Sequence, residues 1–236
     1  MNHSFKIVAL IPARSGSKGI PDKNIKIYKE YPLMAHSIKI ALESEYINEV
    51  YVSTDSIDYQ NIAISYGAKV TPLRPPNISD DLSPDIETFQ HFIQMFKDRD
   101  EKIPDIIIHL RPTYPNRKID ILNNCIELFI NNYNNYDSLR SVVEIKKSPY
   151  KMYFIKNNHL IPFIENYNNL IEPYNQARQN FPLPYLHNGC IDIIKTDTII
   201  KYNLLSGYNI YPFIMNENET DDIDILSDFI TSENKN

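Results

Sequence analysis

Strand-like apolar runs alternate with longer helical patterns through the first half of this chain, and this alternation limits the possible folds more than any other sequence feature. The apolar runs begin at residues 6, 49, 69 and 105. The helical segments between them are 32–44, 56–68 and 83–99, the second bounded by Ser56 as N-cap and Gly67 as terminator. Four such units in about 110 residues predict an α/β fold with a doubly wound, mostly parallel sheet.

The second half of the chain is less regular. Strand-like runs lie at 137–145, 188–196 and 208–215. Residues 151–164 have the pattern of a hairpin, and an acidic turn followed by a helix is expected over 216–234. No repeat or flexible linker divides the sequence, so residues 1–236 are predicted to form one domain, from which an arm at about 147–186 projects.

Charge and cysteine content narrow the class of protein. The net charge of −6 argues against a nucleic-acid-binding protein with a broad basic surface. Cys125 and Cys190 form neither a CxxC motif nor a metal-ligand spacing, and we expect a reducing, cytoplasmic environment. No apolar stretch approaches the roughly 20 residues of a membrane span, so no membrane partner is expected.

The cationic loop, residues 13–24, follows the first predicted strand. Its two glycines allow backbone N–H groups to approach a ligand, and Arg14, Lys18 and Lys23 supply positive charge. Ligands of parallel α/β sheets bind beyond the carboxyl ends of the strands, where this loop lies. The spacings of the P-loop and of the dinucleotide-binding loop are both missing. The loop is predicted to bind a polyanion such as a nucleoside triphosphate; the alternative is a solvated basic turn.

The cationic loop resembles the signature loop of the CMP-sialic acid synthetase family, the cytidylyltransferases that activate acidic sugars. The family pattern is an Ala-Arg pair, a turn of small residues, Ser-Lys-Gly and then Lys-Asn. In that family the loop wraps the triphosphate of CTP and approaches the cytosine. The matching positions here are Ala13, Arg14, Ser17, Lys18, Gly19, Lys23 and Asn24.

Six further motifs resemble the family in the same order along nearly the whole chain. They are VSTDS, LRPPNISDD, LRPTYPNR, EPYNQARQNFP, NGCIDI and DDIDILSDF. The resemblance implies a Rossmann-like nucleotidyltransferase fold and a nucleotide site that also includes Arg74 and Ser83. The other matching positions are Ser79, Asp81, Pro112, Thr113, Pro115, Arg117, Arg178, Asn188, Gly189, Asp222, Asp224 and Asp228.

Asp222 and Asp224 are candidate metal ligands. In an extended segment, residues two apart point to one face, and two carboxylates there suit Mg²⁺ beside phosphate oxygens. The alternative is an acidic turn that stabilises the following helix through its dipole. The resemblance favours the metal role for this pair, whereas for Asp221 and Asp228 we favour the helix-stabilising role.

The departures from the family pattern cluster around the predicted acceptor. Arg111 stands where the family commonly has Gln, and Tyr114 replaces the usual Ser. Leu186 stands where bacterial sialic acid synthetases have an arginine associated with the acid end of the sugar. One hypothesis is that Arg111 binds the acceptor carboxylate instead; the other is a different acceptor. The acceptor-binding residues implied are Arg111, Thr113, Arg178 and Asn188.

The resemblance implies attack by the hydroxyl of a sialic-acid-like sugar on the α-phosphorus of CTP, with release of pyrophosphate. Arg14, Lys18, Asp222 and Asp224 are the catalytic candidates, with Mg²⁺ as cofactor. The family also implies a homodimer whose arms reach the neighbouring site. Two alternatives remain: another acceptor or nucleotide on the same fold, and a non-catalytic nucleotide-binding protein.

Overall fold

The computed structural model describes residues 5–216, 219 and 222–233. The α-helices are α1 (Leu33–Glu43), α2 (Ile57–Ser65), α3 (Asp85–Asp98), α4 (Ile119–Asn131), α5 (Thr196–Tyr202) and α6 (Leu226–Glu233). The strands are β1 (Ile7–Pro12), β2 (Ile27–Tyr28), β3 (Tyr31–Pro32), β4 (Glu49–Ser53), β5 (Lys69–Val70), β6 (Ile106–His109), β7 (Ser138–Glu144), β8 (Tyr153–Lys156), β9 (His159–Pro162), β10 (Tyr185–Lys195) and β11 (Ile210–Met215).

The central sheet of the described part of the chain has seven strands in the order β11-β7-β10-β6-β1-β4-β5. All neighbours are parallel except β10, which runs antiparallel to both β6 and β7. Ala9 of β1 lies in register with Val50 of β4 and Ile108 of β6. The predicted doubly wound, mostly parallel α/β sheet is therefore confirmed.

Helices cover both faces of this sheet because its central strands are apolar on both sides. Ala9 and Ile11 pack with residues of α1, α2 and α4 in one core cluster. Val8 and Leu10 point to the opposite face and pack with α3 and α5 in a second cluster. All four of these β1 side chains are fully buried. A strand buried on both faces lacks polar alternation, as expected for a parallel sheet.

Some predicted element ends match the structure and others differ. Ser56 Oγ accepts a hydrogen bond from the Tyr59 amide at the start of α2, and Gly67 follows that helix at φ +91°. The predicted third strand is shorter than expected, because the prolines after Val70 lack the N–H that a ladder needs. Helix α4 was not predicted, although its buried residues have helical spacing: Leu122, Cys125, Ile126 and Phe129.

The predicted arm contains a separate two-stranded antiparallel sheet, β8–β9, which turns at Asn157 and Asn158 with positive φ. Tyr150 stacks on Phe181 with ring centroids 4.1 Å apart, which joins the two ends of this segment. Several apolar side chains of the arm are exposed: Ile155, Leu160, Phe163, Ile171 and Leu183. A dimer contact through them stays a prediction.

Across residues 5–216, 219 and 222–233, we find no helix with the length and continuous apolar surface that crossing a bilayer requires.

Candidate functional site

A cavity of about 460 Å³ opens beyond the carboxyl ends of β1 and β6. Its wall is built from the cationic loop, the loop before α3, the loop after β6 and the segment before α6. This is the edge where parallel α/β sheets bind ligands. The predicted site residues that line it are Arg14, Ser17, Lys23, Asn24, Arg74, Asp81, Ser83, Arg111, Thr113, Asp222 and Asp224.

The cationic loop is held in place by neighbouring polar groups. Ser15 donates from its amide and its hydroxyl to the Asp55 carboxylate after β4, at 2.7 and 2.8 Å. Burial would raise the pKa of Asp55, but these two hydrogen bonds outweigh it and hold the pKa below its usual value. Asn24 Nδ2 donates to the Arg14 carbonyl at 2.9 Å, and Ala13 is fully buried beneath the loop. Ala13 and Asn24 thus shape the loop.

Each of the three loop cations is paired with a carboxylate of the same chain. Arg14 and Lys18 both contact Asp81. The Lys18 hydrogen bond, and then that of Arg14, lower the pKa of Asp81. Lys23 Nζ lies 3.2 Å from Asp224 Oδ1 and donates a hydrogen bond to the main-chain oxygen of Ile223 at 3.0 Å. A polyanion at this loop therefore has to compete with two aspartates.

The C-terminal segment, residues 222–233, lies directly against the cationic loop. A Cβ placed on Gly19 would lie 2.9 Å from the main-chain oxygen of Asp224, so only glycine permits this approach. Phe229 of α6 packs edge-on against buried Tyr28, whose hydroxyl lies 2.8 Å from Ser232 Oγ. These contacts bring two chain regions some 200 residues apart to one cavity.

Asp222 and Asp224 both line the cavity. Burial raises the pKa of Asp222, and hydrogen bonds from the Thr113 and Tyr114 hydroxyls oppose this. Within the described ranges no cluster of three or more His, Cys, Asp or Glu forms a complete metal cage. Two carboxylates open to a cavity nevertheless fit Mg²⁺, which usually keeps water ligands and phosphate oxygens beside one or two protein carboxylates.

Asp228 has a separate structural role. Its Oδ2 accepts hydrogen bonds from the amides of Asp224 and Ile225, at 3.2 and 3.0 Å, in the turn that leads into α6. These contacts agree with the helix-stabilising role predicted for Asp228. Asp221, for which the same role was predicted, lies outside the described residues.

Arg74 borders the cavity near Arg14 and Asp55 and has two donors without partners among the described residues. The residue is 7% exposed, and its Nη1 donates to Thr88 Oγ1 at 2.8 Å. Its Nε and Nη2 are buried and have no acceptor among the residues that the structure describes. Burial lowers the pKa of Arg74. Buried donors without partners are costly, so two on one guanidinium that lines a cavity point to a ligand with two acceptors.

The Arg111 guanidinium already forms hydrogen bonds with other residues of the same chain. Its Nη1 lies 2.8 Å from Asp192 Oδ2 and 3.1 Å from the Gly189 carbonyl, and its Nη2 lies 3.2 Å from Asp85 Oδ2. Burial would raise the pKa of Asp192, but the hydrogen bond from His187 and the charge of Arg111 keep it well below its usual range. An acceptor carboxylate at Arg111 would have to displace one of these aspartates.

The remaining predicted residues lie away from the cavity wall. Arg178 lines a second cavity of about 500 Å³ beside the arm, together with Lys146 and Phe181. Asn188 points into the sheet, where its Oδ1 accepts from Ser141 Oγ at 2.6 Å. Ser79 donates to the Pro75 carbonyl at 3.0 Å. Within one chain, Arg178 is therefore not brought together with Arg111 and Thr113. Asn188 does not line the cavity, although the carbonyl of the adjacent Gly189 accepts a hydrogen bond from Arg111.

Four polar residues that line the cavity were missed by sequence reasoning: Asp80, Asp85, Thr88 and His109. Asp85 and Thr88 belong to the first turn of α3, which begins at the end of a loop that had been assigned to the site. Because the first turn of α3 directly follows this loop, Asp85 and Thr88 could have been predicted to line the cavity. His109 is buried against Phe89, and it also borders the cavity.

Comparison with known sequences identifies related proteins. A family model described as cytidylyltransferase matches residues 8–211. An N-acylneuraminate cytidylyltransferase of Escherichia coli O18:K1:H7 is 31% identical over 95% of this chain, which spans only 50% of that relative. A CMP-N,N'-diacetyllegionaminic acid synthase of Legionella pneumophila is 30% identical over 97% of this chain and 95% of its own length. A pseudaminic acid cytidylyltransferase of Campylobacter jejuni is 29% identical, with coverage of 95% and 93%.

Solved structures share the fold. A CMP:2-keto-3-deoxy-manno-octonic acid synthetase complexed with CTP superposes with a TM-score of 0.69 at 16% identity, covering 97% of each chain. A 4-diphosphocytidyl-2C-methyl-D-erythritol synthase gives a TM-score of 0.65 at 9% identity, again over 97% of each chain. At such identities the likeness concerns the fold alone.

Proposed function

This chain belongs to the cytidylyltransferase family of nucleotidyltransferases, and from that membership we propose that it transfers CMP from CTP to the hydroxyl of an acidic, sialic-acid-like sugar. The relatives carry names that refer to N-acylneuraminic, legionaminic and pseudaminic acids. These are names of acidic sugars, which supports the class of acceptor without selecting one member.

The observation that carries the proposal is the unsatisfied guanidinium of Arg74 beside the cationic loop. Its free Nε and Nη2 donors suit two neighbouring acceptors, and cytosine offers such a pair in O2 and N3. Uracil carries a hydrogen at N3, which would face a donor. A base held at Arg74 would place its triphosphate beside Arg14 and Lys23 of the cationic loop, which line the same cavity.

In this reaction no side chain of the protein has to form a covalent bond to a substrate. The acceptor hydroxyl gives up its proton to water, and its oxygen forms a new bond to the α-phosphorus. The bond from that phosphorus to the β-phosphate oxygen breaks, and pyrophosphate leaves with the electron pair. Arg14, Lys18 and Lys23 would bind the phosphates and offset the charge that develops on the leaving group. Asn24 would keep the Arg14 carbonyl, and hence the loop, in a fixed position.

Asp222 and Asp224 would hold Mg²⁺ at the same cavity. When bound, this ion supplies Lewis-acid stabilisation of phosphate charge and lowers the pKa of a coordinated hydroxyl. Thr113 would orient Asp222 through its hydroxyl. Lys23 would position Asp224 from the other side, at the 3.2 Å distance observed.

We propose that the acceptor site is completed by a second copy of the chain. Arg111 is engaged by Asp192 and Asp85, and Arg178 lines a different cavity, so neither offers a free fork at this wall. The exposed apolar side chains of β8–β9 support a homodimer in which the arm of one copy brings Arg178 to the cavity of the other. The family resemblance implied the same arrangement.

The test is pyrophosphate release by the full chain incubated with CTP, MgCl₂ and a panel of 2-keto acid sugars. Release with at least one acidic sugar, together with a CMP-sugar product by mass spectrometry, is expected. Asp224→Asn should abolish release while the circular dichroism spectrum stays unchanged, because the carboxylate is exposed and only its charge is lost. Release that requires no sugar, or that proceeds equally with UTP, would contradict the proposal.

A further inference from the structure

One carboxylate holds two of the three cations of the cationic loop. Asp81 Oδ1 contacts Arg14 Nη2, and Asp81 Oδ2 contacts Lys18 Nζ. The Lys18 side chain is 82% exposed, so this pair lies at the mouth of the cavity, where solutes arrive. Two oxygens on one centre, facing two cations, resemble the arrangement that a phosphate group would present. Asp81 therefore occupies the positions that a phosphate needs.

The loop that carries Asp81 is folded by contacts that do not involve these cations. Asp80 Oδ1 accepts hydrogen bonds from the Leu82 amide at 2.8 Å and from Ser83 Oγ at 2.9 Å. Ser83 Oγ in turn accepts from the Asp80 amide at 3.1 Å. None of these hydrogen bonds involves Arg14, Lys18 or the Asp81 side chain. The carboxylate can therefore be displaced by a rotamer change without unfolding its loop.

We propose that Asp81 is an intramolecular counter-ion that every polyphosphate must displace, and that it lowers the affinity of the cationic loop for all of them. This inference rests on the proposed function. Because the displacement costs the same free energy for every polyphosphate, strong binding remains only for a ligand with further contacts, such as a base at Arg74. Bare pyrophosphate, the second product, has no base and is held weakly enough to leave.

The experiment measures the dissociation constants of inorganic tripolyphosphate and of CTP by isothermal titration calorimetry, in metal-free buffer. The full chain is compared with Asp81→Asn and with Asp58→Asn. Asp58 is an exposed residue of the first turn of α2 and has no ion pair among the described residues, so its variant loses the same charge without touching the loop.

Asp81→Asn should bind tripolyphosphate about three- to tenfold more tightly than the parent chain, the range expected for removing two competing, partly exposed ion pairs. Pyrophosphate should also inhibit its turnover more strongly. Asp58→Asn should stay within about twofold, the scale of a screened surface charge. If circular dichroism shows that Asp81→Asn is not folded, the same titrations are made with Asp81→Ala.

A gain below threefold, a loss of affinity, or an equal gain in Asp58→Asn would overturn the counter-ion proposal. These outcomes are separable from failure of the proposed function. A parent chain that binds tripolyphosphate but not CTP contradicts the cytidylyltransferase proposal, while the comparison of variants with tripolyphosphate still decides the role of Asp81. A chain in which neither parent nor variants bind tripolyphosphate contradicts both.

Discussion

Arg74 illustrates how a single side chain can limit the ligands that a cavity accepts. Its guanidinium is buried, one nitrogen is satisfied by Thr88, and two donors lack partners in the described structure. Leaving buried donors unpaired destabilises the fold, and a ligand that pairs with them would remove this cost. In the proposed function the same donors would discriminate between bases, because a donor tolerates an acceptor and repels another N–H.

Arg74→Lys should therefore weaken CTP binding and relax base selectivity. Lysine keeps the positive charge but lacks the pair of N–H donors of the guanidinium. We therefore expect KM for CTP to rise about tenfold or more, which corresponds to the loss of one charge-assisted hydrogen bond. The ratio of kcat/KM for CTP over UTP should fall toward unity. Steady-state kinetics with both nucleotides measure this. An unchanged ratio would exclude Arg74 from base recognition.

Asp192 stabilises the fold in a pH-dependent way. Burial alone would raise its pKa, yet His187 and Arg111 keep the pKa below that of the unfolded chain, about 3.9. The ionised carboxylate therefore stabilises the protein above about pH 4, and this stabilisation is lost as the pH falls further. Asp192→Asn should cost about 3 kcal/mol at pH 7, because it breaks a buried pair.

The free energy of urea unfolding should differ less between Asp192→Asn and the parent chain at pH 3 than at pH 7. Asp197→Asn is the control, since Asp197 forms an exposed pair with Lys201 and should change stability little at either pH. An equal difference at both pH values would show that the charge of Asp192 is not what stabilises the fold.

The segment that leads into α6 and the cationic loop act as one unit. They meet at Gly19, at the contact of Lys23 with Asp224, and in a small core of Ile20, Tyr28 and Phe229. None of these contacts is local in sequence. The position of the Asp222 and Asp224 carboxylates thus depends on how closely the two elements approach.

Gly19→Ala should displace the C-terminal segment, because the added Cβ would lie 2.9 Å from the Asp224 oxygen. We expect the Mg²⁺ concentration for half-maximal activity to rise at least about fivefold, since 1 Å misplacements at such sites have large effects. Gly16→Ala is the matched control: Gly16 has φ +69° and nothing within 4 Å, so its cost is backbone strain alone. If both variants show the same Mg²⁺ dependence, the close approach at Gly19 is not what positions the carboxylates.

Considered as a whole, the chain presents two features that support the proposed dimer. The arm exposes Ile155 (75%) and other apolar side chains, and it contains Arg178, which lies outside the main cavity. Exposed apolar patches of this kind mark contact surfaces. In a symmetric dimer, the exposed apolar side chains of both arms would be covered at the same time.

Ile155→Asp should convert the proposed dimer into monomers in analytical ultracentrifugation and raise KM for the acceptor more than KM for CTP. Ile64→Asp is the control, because Ile64 lies on α2, away from the arm, with a comparable exposure of 54%. A parent chain that sediments as a monomer with full activity would contradict the dimer proposal.

Much of the fold followed from local pattern. Apolar strands at a repeated spacing with helices between them predict a parallel sheet, because crossovers of this length return the chain to the same direction. The motifs at the strand ends then identified most of the cavity wall, including Arg14, Arg74 and Asp222. Helix α4 was predictable in the same way and was overlooked.

The sequence alone thus established the sheet, the edge that carries the site and the family motifs, since each depends on residues close together in the chain. Folding determined which partner each charge takes. That Asp81 pairs with Arg14 and Lys18, that Arg111 is held by Asp192, and that Arg178 lies outside the main cavity follow from contacts between distant elements. Spacing cannot reveal these choices, because the energy of an ion pair depends on distance and burial in three dimensions.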